Sequence, residues 1–249
     1  MRILGLIPAR MGSTRFPGKP LAPIAGVAMI QRVYEACAQC EDLNSIYVAT
    51  CDEDISSFVR SFGGKVVMTE SHHQRASDRC AEALAKLESA SEITYDIVVM
   101  IQGDEPLINA SMISAAIKPL LEDSTINVVN LISKISSADE LNDPNCIKVV
   151  FNQDMNALYF SRLPIPYSVD GSSLDRYKQV CIIPFKRSYL QTYLGLPPTS
   201  LEQEESIDML RILEHGGHVQ LVLTDVITQA VDSPIDISRV ESLLAAIEP

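Results

Sequence analysis

Short unbroken apolar runs alternate with stretches of helical periodicity along the first half of the chain. The run RILGLI at residues 2–7, bounded by Pro8, predicts a buried strand. Residues 27–39 set Met29, Ile30, Val33, Ala36 and Cys37 on one helical face, which predicts the first crossover helix. SIYVAT at 45–50 predicts a second strand, 54–62 a short helix, and KVVM at 65–68 a third strand. A β-α-β-α-β opening of this kind predicts a parallel sheet with right-handed crossovers. Residues 80–87 predict another helix. DIVVMI at 96–101 is apolar almost throughout, as a central strand covered on both faces should be, and 111–122 predicts a helix after it.

The second half reads less regularly. A strand is predicted at 127–134, a short turn at 139–141, and a hairpin joining 146–151 to 157–160 around 152–156. Residues 161–167 leave it in extended form, held by Pro164 and Pro166, and the polar stretch 169–175 predicts a mobile loop. A long amphipathic helix is expected at 202–216, stopped by Gly216 and Gly217, and a strand at 218–223. The expected fold class is α/β: a three-layer α-β-α arrangement on a mostly parallel sheet with a Rossmann-like nucleotide-binding half. At 249 residues and 47% apolar content, the chain suits one domain over 1–249 with an excursion inside it at 150–200.

Charge and cysteine usage narrow the classes. Lys and Arg total 20 against 32 Asp and Glu, a net charge of −12, which argues against a nucleic-acid-binding surface and suits a cytoplasmic protein. No apolar run approaches the roughly 18 residues of a membrane span, and residue 2 enters a strand directly without a signal sequence. Cys37-x-x-Cys40 lies in a helical stretch without a second pair at zinc-site spacing, so the six cysteines are expected as reduced, buried thiols.

The candidate chemistry gathers at strand ends. After the first strand comes a loop containing Pro8, Gly12, Ser13, Pro17, Gly18 and Pro20, with three fixed cations, Arg10, Arg15 and Lys19, and no carboxylate. Glycines let such a backbone approach a ligand, and the cations can neutralise a polyphosphate. The loop is neither a Walker loop nor the dinucleotide fingerprint. Residues 96–101 deliver Gln102, Gly103, Asp104 and Glu105, where Asp104 can hold Mg²⁺ bridging triphosphate oxygens and Gly103 leaves room for substrate. Gln102 offers a donor and an acceptor. Glu105 is expected to be structural, and His72 and His73 to be solvated loop residues.

The stretch IPARMGSTRFPGKPLAPIAG resembles the signature of nucleotidyltransferases that make CMP-sugar acids, most nearly the 3-deoxy-manno-octulosonate (Kdo) cytidylyltransferase family. GGKVVMT, SDRCAEA, IQGDEPLI, ALYFSRLPIPY and AVDSPIDI follow in the same order. The resemblance implies a CTP site at Pro8, Ala9, Arg10, Ser13, Arg15, Lys19, Ser77, Asp78, Arg79 and Gln102. Arg10, Arg15, Lys19 and Asp104 are its implied catalytic groups, and Asp104 and Asp232 its implied Mg²⁺ ligands. Asp236 is expected to be a first-turn helix carboxylate. Gln102 and Arg162 are implied on the acceptor side, and a homodimer packed through the region after Arg162. Arg75, Ala76 and Ser77 stand where the family has Ser, Gly and Thr. Gln179 and Ile183 stand where it has His and Tyr, and Asp208 and Met209 where it has Glu and Gln. Those last four positions are the acceptor side, and the changes leave two expectations open: compensation within a Kdo enzyme, or a changed acid such as 8-amino-Kdo. The other readings are a nucleotidyltransferase acting on a sialic-acid-like acid, a sugar phosphate or a phosphonate, and a non-catalytic CTP-binding homologue.

Overall fold

The computed structural model describes residues 1–12, 15–169 and 174–247. Ser13 and most of the loop expected at 169–175 therefore lie outside the described residues. The chain forms two compact units, one from Met1–Ser114 with Ile227–Pro249, the other from Ala115–Val226.

In the first unit the strands are β1 (Ile3–Ala9), the short pair β2 (Pro23–Ile24) and β3 (Val27–Ala28), β4 (Ser45–Thr50), β5 (Val66–Met68) and β6 (Ile97–Ile101). The helices are α1 (Met29–Ala38), α2 (Glu53–Ser61), α3 (Ala76–Ser91) and the start of α4 (Ala110–Glu122). Within this unit the main sheet runs β6-β1-β4-β5, all parallel, with Leu6 opposite Met100 and Ile7 opposite Val48. Leu4, Leu6, Ile7, Val98 and Val99 are fully buried, which is why the two central strands read as continuous apolar runs. The first helix starts two residues later than expected because 27–28 are drawn into a hairpin. Its turn residues Ala25 and Gly26 both have positive φ, 47° and 79°, as a tight two-residue connection requires.

The second unit contains β7 (Val129–Lys134), α5 (Ala138–Asn142), β8 (Lys148–Phe151), β9 (Ala157–Ser161), β10 (Tyr177–Val180) and β11 (Ile182–Lys186). It continues with α6 (Arg187–Gly195), α7 (Ser200–Glu205), α8 (Asp208–Glu214) and β12 (Gln220–Thr224). Its sheet has the order β12-β7-β10-β8-β9, with only β12 and β7 parallel, so the parallel architecture belongs to the first unit and this sheet is mixed. The expected turn at 139–141 is a one-turn helix, capped by the Ser137 hydroxyl accepting from the Glu140 N–H at 3.1 Å.

The single helix expected at 202–216 is two. Ser206 adopts a left-handed conformation (φ 53°) that ends α7, and the chain restarts as α8. The break lets Glu202, wholly buried, take a two-pronged ion pair from Arg211 at 2.7 and 2.6 Å. All six cysteines are free; Cys37, Cys40 and Cys80 are buried, whereas Cys51, Cys146 and Cys181 are partly exposed. Among the described residues no helix is long and apolar enough to cross a membrane.

Candidate active site

Parallel strands bring their carboxyl ends to one edge, so the segments leaving β1 and β6 meet. With the return segment before the C-terminal helix (Pro234–Ile247) and the start of α3, they line a cavity of about 280 Å³. Pro8, Ala9, Arg10, Arg15, Lys19 and Gln102 all face it, as do Asp104 and Asp232. Beneath it, Phe16 of the cationic loop packs with Ile24, Met29, Leu107, Val231 and Val240. That apolar cluster holds the loop, the β6 exit and the return segment in one place.

Two ion pairs span the cavity. Lys19 Nζ donates to Asp104 Oδ2 at 2.7 Å and to the Val231 carbonyl at 2.9 Å, and Arg15 Nη2 donates to Asp232 Oδ1 at 2.8 Å. The Val231 N–H donates to the Asp104 carbonyl at 2.9 Å, tying the carboxylate-bearing segments together through their backbones. Asp232 titrates above the ordinary aspartate range, first because it is buried and then because the Asp104 charge is near; Lys19 and Arg15 pull the other way. Asp236 behaves as expected of a first-turn carboxylate. It accepts from the Asp232 and Ser233 N–H groups at 3.1 and 2.8 Å and so fixes the position of Asp232.

Gly103 lines the cavity, and a methyl group there would also meet Ile30 Cδ1 at 3.3 Å and the Pro8 carbonyl at 3.4 Å. Gly18, at φ 75°, makes the turn into Lys19.

The opposite wall is the start of α3, where His73, Gln74, Arg75 and Ala76 line the cavity beside Arg79. Arg79 is buried, donates through Nη1 to Thr69 Oγ1 at 2.5 Å, and keeps Nη2 buried without a hydrogen-bond partner. Ser77 is wholly buried within the helix and Asp78 partly so, and neither lines the cavity. The expectation that His73 is solvated is corrected: its Nε2 lies 2.5 Å from Oε2 of Glu82, which sits in the second turn of α3, and His73 lines the cavity. Burial raises the Glu82 pKa, but bonds from Lys86, the Glu70 N–H and His73 outweigh it and bring the value down to about 2. In all, five fixed cations (Arg10, Arg15, Lys19, Arg75 and Arg79) line this cavity against two carboxylates, in a chain of net charge −12. Such a site selects a polyanion.

The remaining candidates belong to the second unit. Gln179 Nε2 donates to Asn130 Oδ1 at 2.5 Å across β10 and β7. Ile183 is 6% exposed and Met209 0%, so both are core residues of that unit. Arg162 spends its guanidinium on the carbonyls of Glu205, Pro144 and Ser206 at 2.5, 2.9 and 3.3 Å. Asp208 opens α8 as its first-turn acid.

A cationic, glycine-turned loop facing two carboxylates at the carboxyl edge of a parallel sheet suits a nucleotide polyphosphate. The comparisons give the class of protein. The family profile for cytidylyltransferases matches residues 4–223, and the chain belongs to that family. It is 41% identical, over 99% of its length and 100% of the relative's, to the 3-deoxy-manno-octulosonate cytidylyltransferase of Syntrophotalea carbinolica. It is 42% identical, over 98% and 99% of the two lengths, to the 8-amino-3,8-dideoxy-manno-octulosonate cytidylyltransferase of Shewanella amazonensis. Among solved structures it superposes on a CMP:2-keto-3-deoxy-manno-octonic acid synthetase complexed with CTP, with a TM-score of 0.89, 36% identity and coverage of 99% and 100%. The chain is thus a CTP-dependent nucleotidyltransferase.

Proposed function

We propose that the chain transfers the cytidylyl group of CTP to the anomeric hydroxyl of a 2-keto-3-deoxy sugar acid of the Kdo or 8-amino-Kdo kind. The hydroxyl oxygen bonds to the α-phosphorus and gives its proton to water, the bond from that phosphorus to the β-phosphate bridging oxygen breaks, and pyrophosphate leaves. The observation that carries the reading is the placement of Asp104, Asp232, Arg15 and Lys19 around one cavity of cationic character.

In this reading Arg10, Arg15 and Lys19 take the β- and γ-phosphates and stabilise charge as it builds on the leaving group. Gln102 and Arg79, which line the cavity, face the nucleoside. Asp104 and Asp232 suit Mg²⁺. Among the described residues no three His, Cys, Asp or Glu side chains form a ready-made metal site. Two carboxylates completed by substrate phosphates and water are what this ion commonly takes. When bound it supplies Lewis acidity toward the α-phosphate. The Arg15 and Lys19 ion pairs stand in for that charge and are free to pass to the triphosphate.

Relatives of both acceptor kinds match at similar identity. Ile183 and Met209, which stand where the family has Tyr and Gln, are core residues of the second unit, so their change from polar side chains does not choose between the two acids. We further read the protein as a cytoplasmic homodimer joined through the 150–200 region, a reading supported by the exposed Leu158, Leu163 and Tyr167. A pyrophosphate-release screen of CTP and Mg²⁺ against Kdo, 8-amino-Kdo, a sialic-acid-type acid, a sugar phosphate and a phosphonate tests the function. Release with Kdo or 8-amino-Kdo is expected. Release with only the sugar phosphate or phosphonate, or with none, contradicts it.

A further inference from the structure

Asp52 occupies the N-cap position of α2, where an aspartate side chain ordinarily accepts an N–H from its own helix. Here it makes no capping bond. Its Oδ2 instead accepts the N–H of Met11 at 2.8 Å, 41 residues away in sequence, while Asp52's own N–H is taken up by Thr50 Oγ1 at 3.1 Å. The Cys51 thiol points to the same carboxylate oxygen at 3.6 Å. Met11 is gripped from both sides, since its carbonyl accepts the Gly18 N–H at 3.2 Å and closes the base of the cationic loop. Arg10 lies immediately before that closure, Arg15 within it and Lys19 immediately after.

We infer that Asp52 is a positioning residue for the triphosphate, acting through Met11 to hold the base of the loop that presents Arg10, Arg15 and Lys19. The inference rests on the reading that this loop binds CTP. It explains why a carboxylate forgoes its own helix, and why an acid is kept beside a loop meant for an anion. As a charge, Asp52 opposes a triphosphate; as an acceptor, it orders the donors. The two roles predict opposite signs.

The test compares Asp52→Ala and Asp52→Asn with the wild type by calorimetric titration of CTP in Mg²⁺, together with KM for both substrates and the unliganded melting temperature. Asp52→Ala removes the acceptor and is expected to weaken CTP about fivefold to tenfold. The loss should appear in the KM for CTP and not in that for the sugar acid, with the melting temperature little changed because no helix cap is lost. Asp52→Asn keeps an acceptor and sheds the charge, so CTP should bind within about twofold of wild type or more tightly. Tighter CTP binding by Asp52→Ala, the result of charge removal alone, overturns the inference, as does an Asp52→Asn variant as weak as Asp52→Ala. If the alanine variant fails to fold, the asparagine variant decides alone, and a fivefold weakening there overturns the inference. A wild-type chain that binds no CTP overturns the functional reading and this inference with it, whereas wild-type binding unchanged in Asp52→Ala overturns only the inference.

Discussion

Asp104→Asn is expected to lower turnover by on the order of 10³-fold or more while the protein stays folded. The carboxylate closes the β6 exit against the cavity, with Lys19 Nζ 2.7 Å from Oδ2. Asparagine keeps the shape and one acceptor but gives up the charge that a divalent ion needs. Several kcal/mol of transition-state stabilisation depend on that ion, and each 1.4 kcal/mol is about tenfold in rate. Asp232→Asn should be comparably slow, yet it should melt higher than wild type without ligand. Burial and the Asp104 charge raise the Asp232 pKa, so its ionised form opposes folding; a neutral amide removes that opposition above the ordinary aspartate range. As pH falls and Asp232 takes up a proton, the difference in melting temperature should shrink. Pyrophosphate release and circular-dichroism melts measure both effects. Near-wild-type turnover by Asp104→Asn in Mg²⁺ removes this role for the carboxylate.

Lys19→Ala is expected to reduce kcat/KM for CTP by about 10²-fold, the usual order for losing one preorganised cationic contact to developing charge. Lys19 is 13% exposed in its side chain, carries a fixed charge, and is held by Asp104 and the Val231 carbonyl. Its removal leaves Asp104 without its partner and the triphosphate without a donor, so both KM and kcat should worsen. Lys19→Arg should recover only part, because a fork-shaped guanidinium does not replace a compact ammonium in that slot. A Lys19→Ala enzyme within fivefold of wild type contradicts the assignment.

The parts of this architecture that were legible in sequence were those with an uninterrupted physical signal. β1 and β6 are buried on both faces and read as apolar runs, and three cations without an acid mark the loop between β1 and α1. Asp232 was placed by family resemblance, because no local pattern shows that a distant segment packs under Phe16 through Val231. The opposite wall was harder to see. α3 starts at Ala76 with Arg75 in the N-cap position and no side-chain cap, so the usual start signal is missing and the helix read only from residue 80. That hid the inward placement of His73 and Arg75, although Glu82, two helical turns beyond the start, was the available clue for His73. In the second unit Ser206 breaks a stretch of good amphipathic pattern with a backbone conformation that periodicity does not report. The strands at 177–186 are two short runs with Pro184 inside the second, so neither length nor alternation marks them in sequence.

The central claim is that the loop cations and the two aspartates act on one triphosphate. A structure of the wild-type chain with CTP and Mg²⁺ tests it most directly. The account predicts Lys19 and Arg10 within about 3 Å of phosphate oxygens, Asp104 and Asp232 on the ion, and the Arg15–Asp232 and Lys19–Asp104 pairs given up to the ligand. A triphosphate bound elsewhere, or both ion pairs intact beside a bound nucleotide, contradicts it.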